Sequence, residues 1–97
     1  MEEIAKYYVE EGAKRKGLEL KGKAQCTWID AYELKCTQDV AECKETKGMF
    51  SRKKIMKRVI KEHYGVGFIV KVFYQYNHLT KKCSIEVSVH YTLLSGY

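Results

Sequence analysis

A cluster of basic residues between Ser51 and Tyr64 is the part of the sequence best suited to a chemical role. Its members are Lys53, Lys54, Lys57, Arg58 and Lys61. Lysines that neutralise phosphates release counterions, so the cluster predicts contact with a polyanion such as DNA or RNA. Lys71, Lys81 and Lys82 would extend this patch if the fold brings them near. The alternative is a solvated face of a lysine-rich protein, and the sequence leaves both interpretations open.

The kind of cation indicates the kind of contact. The chain holds 15 lysines and three arginines. Arginine makes the bidentate contact that reads guanine, whereas lysine acts mainly as a point charge towards phosphate. We therefore expect any binding of DNA or RNA to depend little on base sequence.

The four cysteines are Cys26, Cys36, Cys43 and Cys83. No two of them have the C-x2-C spacing, which argues against a zinc ribbon or finger. Four cysteines allow three disulfide connectivities. Cys26 and Cys36 share the apolar face of a predicted hairpin, so we expect them to pair across its strands and Cys43 to pair with Cys83. Buried free thiols are the alternative.

The histidines do not form a site in the sequence. His63, His78 and His90 lack the spacing of metal ligands, and no serine, cysteine or carboxylate is paired with a base. The sequence therefore predicts no metal, no cofactor and no enzymatic activity. A metal-free ribonuclease built from lysine, histidine and tyrosine is an alternative without positive support.

Apolar residues interrupt the polar side of the last predicted hairpin. Ile69, Phe73 and Leu94 fall among its polar positions, with His90 near them. Apolar groups exposed on a sheet face usually mark contact surfaces, so we favour a subunit interface and a homodimer. A stacking platform for single-stranded nucleic acid is the alternative.

Length and charge predict one small domain with a one-sided electrostatic field. Ninety-seven residues suffice for a single core. Residues 51–97 carry nine basic and two acidic groups, whereas residues 1–50 carry nine and ten, so the net charge of +6 arises in the second half. No apolar run is long enough to cross a bilayer. The acidic start, Met1-Glu2-Glu3, lacks an export signal, so we expect a cytoplasmic protein without membrane contact.

The composition also predicts a thermophilic source. Lysine and glutamate are the commonest charged residues, and the chain has one asparagine and three glutamines. Lysine and glutamate enrichment with few thermolabile amides is typical of hyperthermophiles. We expect a thermophilic archaeon or one of its viruses, with the host cytoplasm as the location if viral. Intracellular disulfides occur in such organisms.

Periodicity predicts a helix and a hairpin in the first half. Apolar residues at helical spacing indicate a helix from Glu2 to Lys16, capped by Gly17. Leu18 to Trp28 and Tyr32 to Cys36 alternate with period two, with their even-numbered residues on one apolar face. Residues 38–48 are polar and could extend the second strand, through a bulge, or form a loop.

A second helix and hairpin are predicted to follow. Ser51 is a good N-cap for a helix reaching Tyr64, and Gly65 would end it. Val66 to Tyr76 and Cys83 to Leu94 alternate as two strands. The result is an α+β fold: an αββαββ two-layer sandwich with two helices on one face of a four-stranded antiparallel sheet, which is a ferredoxin-like arrangement in permuted order. Residues 1–97 would form one domain, with possible αββ repeats at 1–48 and 49–97.

These observations predict a small non-enzymatic accessory protein. It would bind nucleic acid through phosphate contacts from the basic helix. The alternative is a protein-interaction module without a nucleic-acid role, such as a homodimeric adaptor, an inhibitor or a virion component.

Overall fold

In the computed structural model, the described residues are 1–41, 55–61, 66–77 and 81–93, and they form one helix and a five-stranded antiparallel sheet. The elements are α1 (Glu2–Arg15), β1 (Leu20–Asp30), β2 (Glu33–Val40), β3 (Ile55–Lys61), β4 (Val66–Asn77) and β5 (Lys82–Leu93). The predicted α+β class is therefore confirmed.

The first helix begins and ends close to the predicted positions. Glutamates in its first turn and basic residues in its last turn complement the helix dipole. Gly17 follows it with a positive φ of 63°. The Leu18 N–H donates to the Ala13 carbonyl at 2.8 Å, and the Gly17 N–H donates to the Lys14 carbonyl at 3.2 Å. These two bonds form a Schellman motif, in which glycine adopts the left-handed conformation without strain.

The strands follow the order β1-β2-β5-β4-β3 across the sheet. The predicted hairpins β1–β2 and β4–β5 are both confirmed, and β2 pairs with β5 to join them. β3 pairs with the far side of β4, so β1 and β3 are the edge strands. The register of β1 is irregular around Gly22, whose φ is 70°, as in a β-bulge that twists an edge strand.

The helix predicted from Ser51 to Tyr64 is wrong over Ile55–Lys61, which forms β3. Each of these seven residues pairs with β4. A short apolar run fits both the helical and the strand period, and three of the seven residues are β-branched, which favours a strand. Pairing with β4 decides between the two. The described residues therefore lack the second helix of the predicted permuted ferredoxin-like sandwich and of its αββ repeat.

α1 packs on one face of the sheet, here called the inner face. Alternate residues of β2, β4 and β5 form this face, and Leu34 and Val87 are among those with almost no exposed surface. Gly12 allows close approach, because a Cβ there would lie only 3.2 Å from a methyl carbon of Val72. The Tyr74 hydroxyl donates a 2.8 Å hydrogen bond to the Gly12 carbonyl and so ties the helix to β4.

The helix is too short to cover the whole inner face. Its 14 residues span about 21 Å at ~1.5 Å per residue. The 12 residues of β4 or β5 span about 40 Å at ~3.3 Å per residue. Trp28, Tyr32 and Tyr91, near the β1–β2 turn, are 55%, 63% and 42% exposed, although Trp28 and Tyr32 belong to the predicted apolar face. We call these three residues the aromatic end.

Candidate functional site

The sheet face opposite α1, here called the outer face, carries no helix among the described residues. Most inner-face positions of β2, β4 and β5 are buried, whereas ten outer-face residues of these strands are half-buried or exposed, apart from one buried serine. They are Glu33, Lys35 and Thr37 of β2, Ser84, Glu86, Ser88 and His90 of β5, and Ile69, Lys71 and Phe73 of β4. Basic and apolar residues singled out in the sequence meet on this face.

A shallow depression of about 190 Å³ lies on the outer face, lined by Glu33, Ile69, Lys71, Ser88 and His90. The strand register explains this grouping. Glu33, His90 and Ile69 lie side by side across β2, β5 and β4. Ser88 lies opposite Lys71 in the next row. Three strands thus bring a carboxylate, an imidazole, a hydroxyl and an ammonium group together.

Glu33 and Ser88 are held together inside this depression. The Ser88 hydroxyl donates a 2.8 Å hydrogen bond to Oε2 of Glu33. Ser88 is only 8% exposed, so the bond is largely shielded from water and orients the carboxylate. An ionised carboxylate has about four acceptor positions, so Glu33 can accept further hydrogen bonds.

Two lysines of the outer face differ in their pairing. Nζ of Lys35 lies 3.4 Å from Oε1 of Glu86, which compensates its charge. Lys71 is exposed, and no carboxylate of the described residues lies within ion-pair distance of it. Lys71 is therefore the cation of this face that is better placed to receive an anion.

Basic residues predicted for a helix lie instead on the edge strand β3. The register places Lys57 opposite Lys71, with Arg58 and Lys61 further along β3. Like charges directly opposite each other destabilise an antiparallel pair unless an anion or solvent screens them. Lys57 and Lys71 therefore share the outer face, whereas Arg58 pairs with Val70, a buried residue of the inner face.

Apolar residues flank this lysine pair along the strands. Ile69 and Phe73 precede and follow Lys71 on the outer face, and both are half-buried. The register places Val59 opposite Ile69 and Ile55 opposite Phe73. Three of the predicted interface residues, Ile69, Phe73 and His90, thus lie on one face, with Ile69 directly opposite His90. Leu94 lies outside the described residues.

The other predicted basic residues lie outside the described residues or far along the sheet from this group. Lys53 and Lys54 lie outside the described residues. Lys81 lies in the β4–β5 turn and Lys82 begins β5. Six residues of strand separate Lys82 from Ser88, which is roughly 20 Å. The structure therefore separates Lys81 and Lys82 from the depression.

Of the two predicted disulfides, the Cys26–Cys36 pair lies within the described residues and is confirmed. Cys26 and Cys36 lie opposite each other in the β1–β2 ladder and form a disulfide with an S–S distance of 2.03 Å. Cys83 is fully buried and is also disulfide-bonded. Cys43, its predicted partner, lies outside the described residues, as do His63 and His78.

Sequence reasoning missed Glu33 and Ser88. Each is a polar residue in an alternating strand, and such residues normally indicate only a solvated face. Their contact depends on the pairing of β2 with β5, which joins residues far apart in the chain. The alternation of residues within one strand does not predict which distant strand will pair with it.

The described residues show neither a metal-binding cluster nor a membrane-spanning helix, and the chain resembles no known protein that was compared with it. In the described part of the chain, no group of three or more histidine, cysteine, aspartate or glutamate side chains is arranged to hold a metal ion. No helix found there has the length and apolar character needed to cross a membrane. No protein-family model, curated protein or solved structure matches this chain.

Proposed function

We propose that this protein is a non-enzymatic accessory protein that binds single-stranded nucleic acid across the outer face, mainly through phosphate contacts. The carrying observation is the position of Lys57 opposite Lys71 on a sheet face that carries no helix among the described residues, with apolar residues on either side. A thermophilic archaeon or its virus, and a cytoplasmic location, complete the proposal on compositional grounds.

The electrostatic part of the proposal concerns phosphate. Lys71 has no acidic partner among the described residues, and Lys57 faces it across the ladder. A phosphate between them would relieve their repulsion and release counterions from the strand. The net charge of +6 would draw an anionic strand towards the protein before contact.

The apolar part of the proposal concerns the bases. Single strands expose bases that stack on aromatic side chains, and such stacking tolerates every base. Phe73, Ile69 and His90 lie on the outer face, and Ile69 and His90 line the depression, which offers room for a splayed base. A flat sheet face reaches unpaired bases more easily than bases inside a duplex groove.

Titration of a fluorescently labelled single strand at several salt concentrations tests this function. We expect a Kd of about 10⁻⁴–10⁻⁶ M or tighter at physiological salt, the range of non-specific binders. The double variant Lys57→Gln/Lys71→Gln should bind more weakly on every sequence. Its slope of log affinity against log salt should fall by about 0.7 for each lost phosphate contact.

The matched control removes the same charge from the opposite layer. Lys6 and Lys14 are exposed residues of α1, so Lys6→Gln/Lys14→Gln keeps the outer face intact. This control should retain most of the affinity and the salt slope. Equal losses in both double variants would refute the outer face as the site. A Kd no better than millimolar for the unmodified protein would refute nucleic-acid binding itself.

A second candidate function is protein interaction, with a second copy or another protein covering the outer face. The half-buried Ile69 and Phe73 on an open face favour it. Light scattering after gel filtration distinguishes the two functions. A dimer that Phe73→Lys dissociates, together with absent nucleic-acid binding, would support protein interaction.

A further inference from the structure

We propose that the outer-face depression is a nucleobase pocket that prefers bases with an exocyclic amino group, such as cytosine, over uracil and thymine. This inference rests on the proposed nucleic-acid function and adds a base preference to it. The group that would create the preference is the Glu33 carboxylate, oriented by Ser88.

The size of the depression limits its occupant. Its volume of about 190 Å³ lies below the roughly 300–1,000 Å³ typical of pockets for drug-sized ligands. A whole dinucleotide or a peptide would not fit inside it. A single flat base, with its sugar and phosphate outside, suits both the size and the open shape.

The hydrogen-bonding groups define which base fits. Ionised Glu33 can only accept hydrogen bonds, and one of its oxygens already accepts from Ser88. The amino group of cytosine is a donor that carboxylates recognise. Uracil and thymine carry a carbonyl oxygen where cytosine carries its amino group. This oxygen and the carboxylate oxygen are both hydrogen-bond acceptors, so they would repel each other. The pocket therefore discriminates by attraction to one base and repulsion of the other.

The remaining lining residues suit the rest of a nucleotide. Lys71 borders the depression and is exposed, so its ammonium group can reach a phosphate at the rim. Ile69 and His90 lie opposite each other in the β4–β5 ladder, and they supply an apolar and a ring surface for the base. The amino group, the ring face and the phosphate of a cytidine nucleotide thus each meet a complementary group.

Cytidine and uridine monophosphate form the matched probe, because they share ribose and phosphate and differ in the base edge. Backbone amide NMR titration of the unmodified protein should show shifts at Glu33, Lys71 and Ser88. Cytidine monophosphate should bind at least about fivefold more tightly than uridine monophosphate. Oligodeoxycytidylate and oligothymidylate of equal length should show the same order in the fluorescence titration.

The variant Glu33→Gln keeps the shape of the side chain and removes its charge. Because its amide both donates and accepts, the cytosine preference should disappear or reverse while binding of oligothymidylate stays equal or improves. Glu86→Gln is the control, since Glu86 is an outer-face carboxylate that does not line the depression. That control should keep the preference.

The outcomes separate this inference from the proposed function. If both strands bind through Lys57 and Lys71 but cytosine and uracil bind equally, the base pocket is refuted and the function stands. If Glu33→Gln and Glu86→Gln change the preference alike, Glu33 is not its source and the pocket is refuted. If no strand binds, both proposals fail. The comparison of two nucleotides on the unmodified protein requires no variant to fold.

Discussion

Tyr74 is a polar residue in the middle of the contact between helix and sheet. It is only 3% exposed, and its hydroxyl donates to the Gly12 carbonyl at 2.8 Å. Burial raises the pKa of the Tyr74 phenol above its ordinary value of 10.0; the charge of Arg15 lowers this pKa by a smaller amount, and the charge of Glu11 raises it. The folded protein therefore holds the phenol in its neutral form more strongly than the unfolded chain does.

Tyr74→Phe tests this hydrogen bond. The variant keeps the ring and should lower the free energy of unfolding by about 1 kcal/mol at neutral pH. Because folding raises the phenol pKa, the stabilisation from Tyr74 is complete below pH ~10 and is lost as pH rises through the raised pKa. Urea unfolding between about pH 7 and pH 11 should show the two proteins converging at the alkaline end. A difference that stays constant with pH would contradict this linkage.

The sequence predicts contacts within a local hairpin better than contacts between strands that are distant in the chain. Cys26 and Cys36 are paired correctly from alternation alone, because one local hairpin brings them together. The Glu33–Ser88 bond joins strands 55 residues apart in sequence. Alternation assigns each of those residues to a face but does not say which strands are neighbours. The candidate pocket therefore requires the sheet order as well as the pattern.

At the scale of elements, the disulfide secures an edge strand. β1 lies at one edge of the sheet, its register is irregular around Gly22, and most of its residues are exposed. The Cys26–Cys36 bond joins it to β2, which is more deeply buried. The disulfide thus joins a mostly exposed edge strand to a neighbouring strand that is more deeply buried.

Replacing Cys26 and Cys36 together by alanine tests the disulfide. The cross-link closes a loop with a sequence separation of 10, for which loop entropy predicts a loss of about 2–3 kcal/mol. Urea unfolding should give a lower midpoint, and amides of β1 should exchange hydrogen faster. Cys26→Ala alone should cause most of the loss, since it breaks the same bond at a half-buried position. An unchanged midpoint in the double variant would contradict the prediction.

The elements also show where the local pattern fails. α1 is predicted almost to the residue, because its period, its charges and Gly17 all indicate the same helix. β3 is not, because its apolar residues fit both periods and its pairing with β4 comes from tertiary structure. Lys57, Arg58 and Lys61 consequently lie on a sheet edge and not on the predicted helix. The proposed binding still uses Lys57, because its position opposite Lys71 is on the outer face.

At the scale of the whole molecule, the one helix among the described residues packs against a much longer sheet. α1 spans about half the length of β4 or β5, and the longest extent of the molecule is 44 Å. The aromatic end and the outer face therefore both expose residues that a second layer would cover. The alternation of apolar and polar residues within one strand does not predict which parts of the sheet stay uncovered.

The proposed thermophilic source makes a prediction for the whole molecule. The melting temperature should lie well above the roughly 45–65 °C at which mesophilic domains of this size unfold. Disulfides and charged-residue enrichment are among the features expected to contribute. Differential scanning calorimetry without reductant measures this temperature. A transition within the mesophilic range would refute the thermophilic assignment.

The edge position of β3 gives its basic residues one more consequence. An unpaired strand edge can accept the matching strand of another copy, which is how many sheet proteins begin to form fibres. The positive charges of Lys57, Arg58 and Lys61 oppose such self-association between like edges. Dissolved ions screen that repulsion over about 10 Å at 0.1 M. Salt that would release nucleic acid under the proposed function would therefore also weaken the colloidal protection of the free protein. Solubility and the proposed binding would then depend on the same charges.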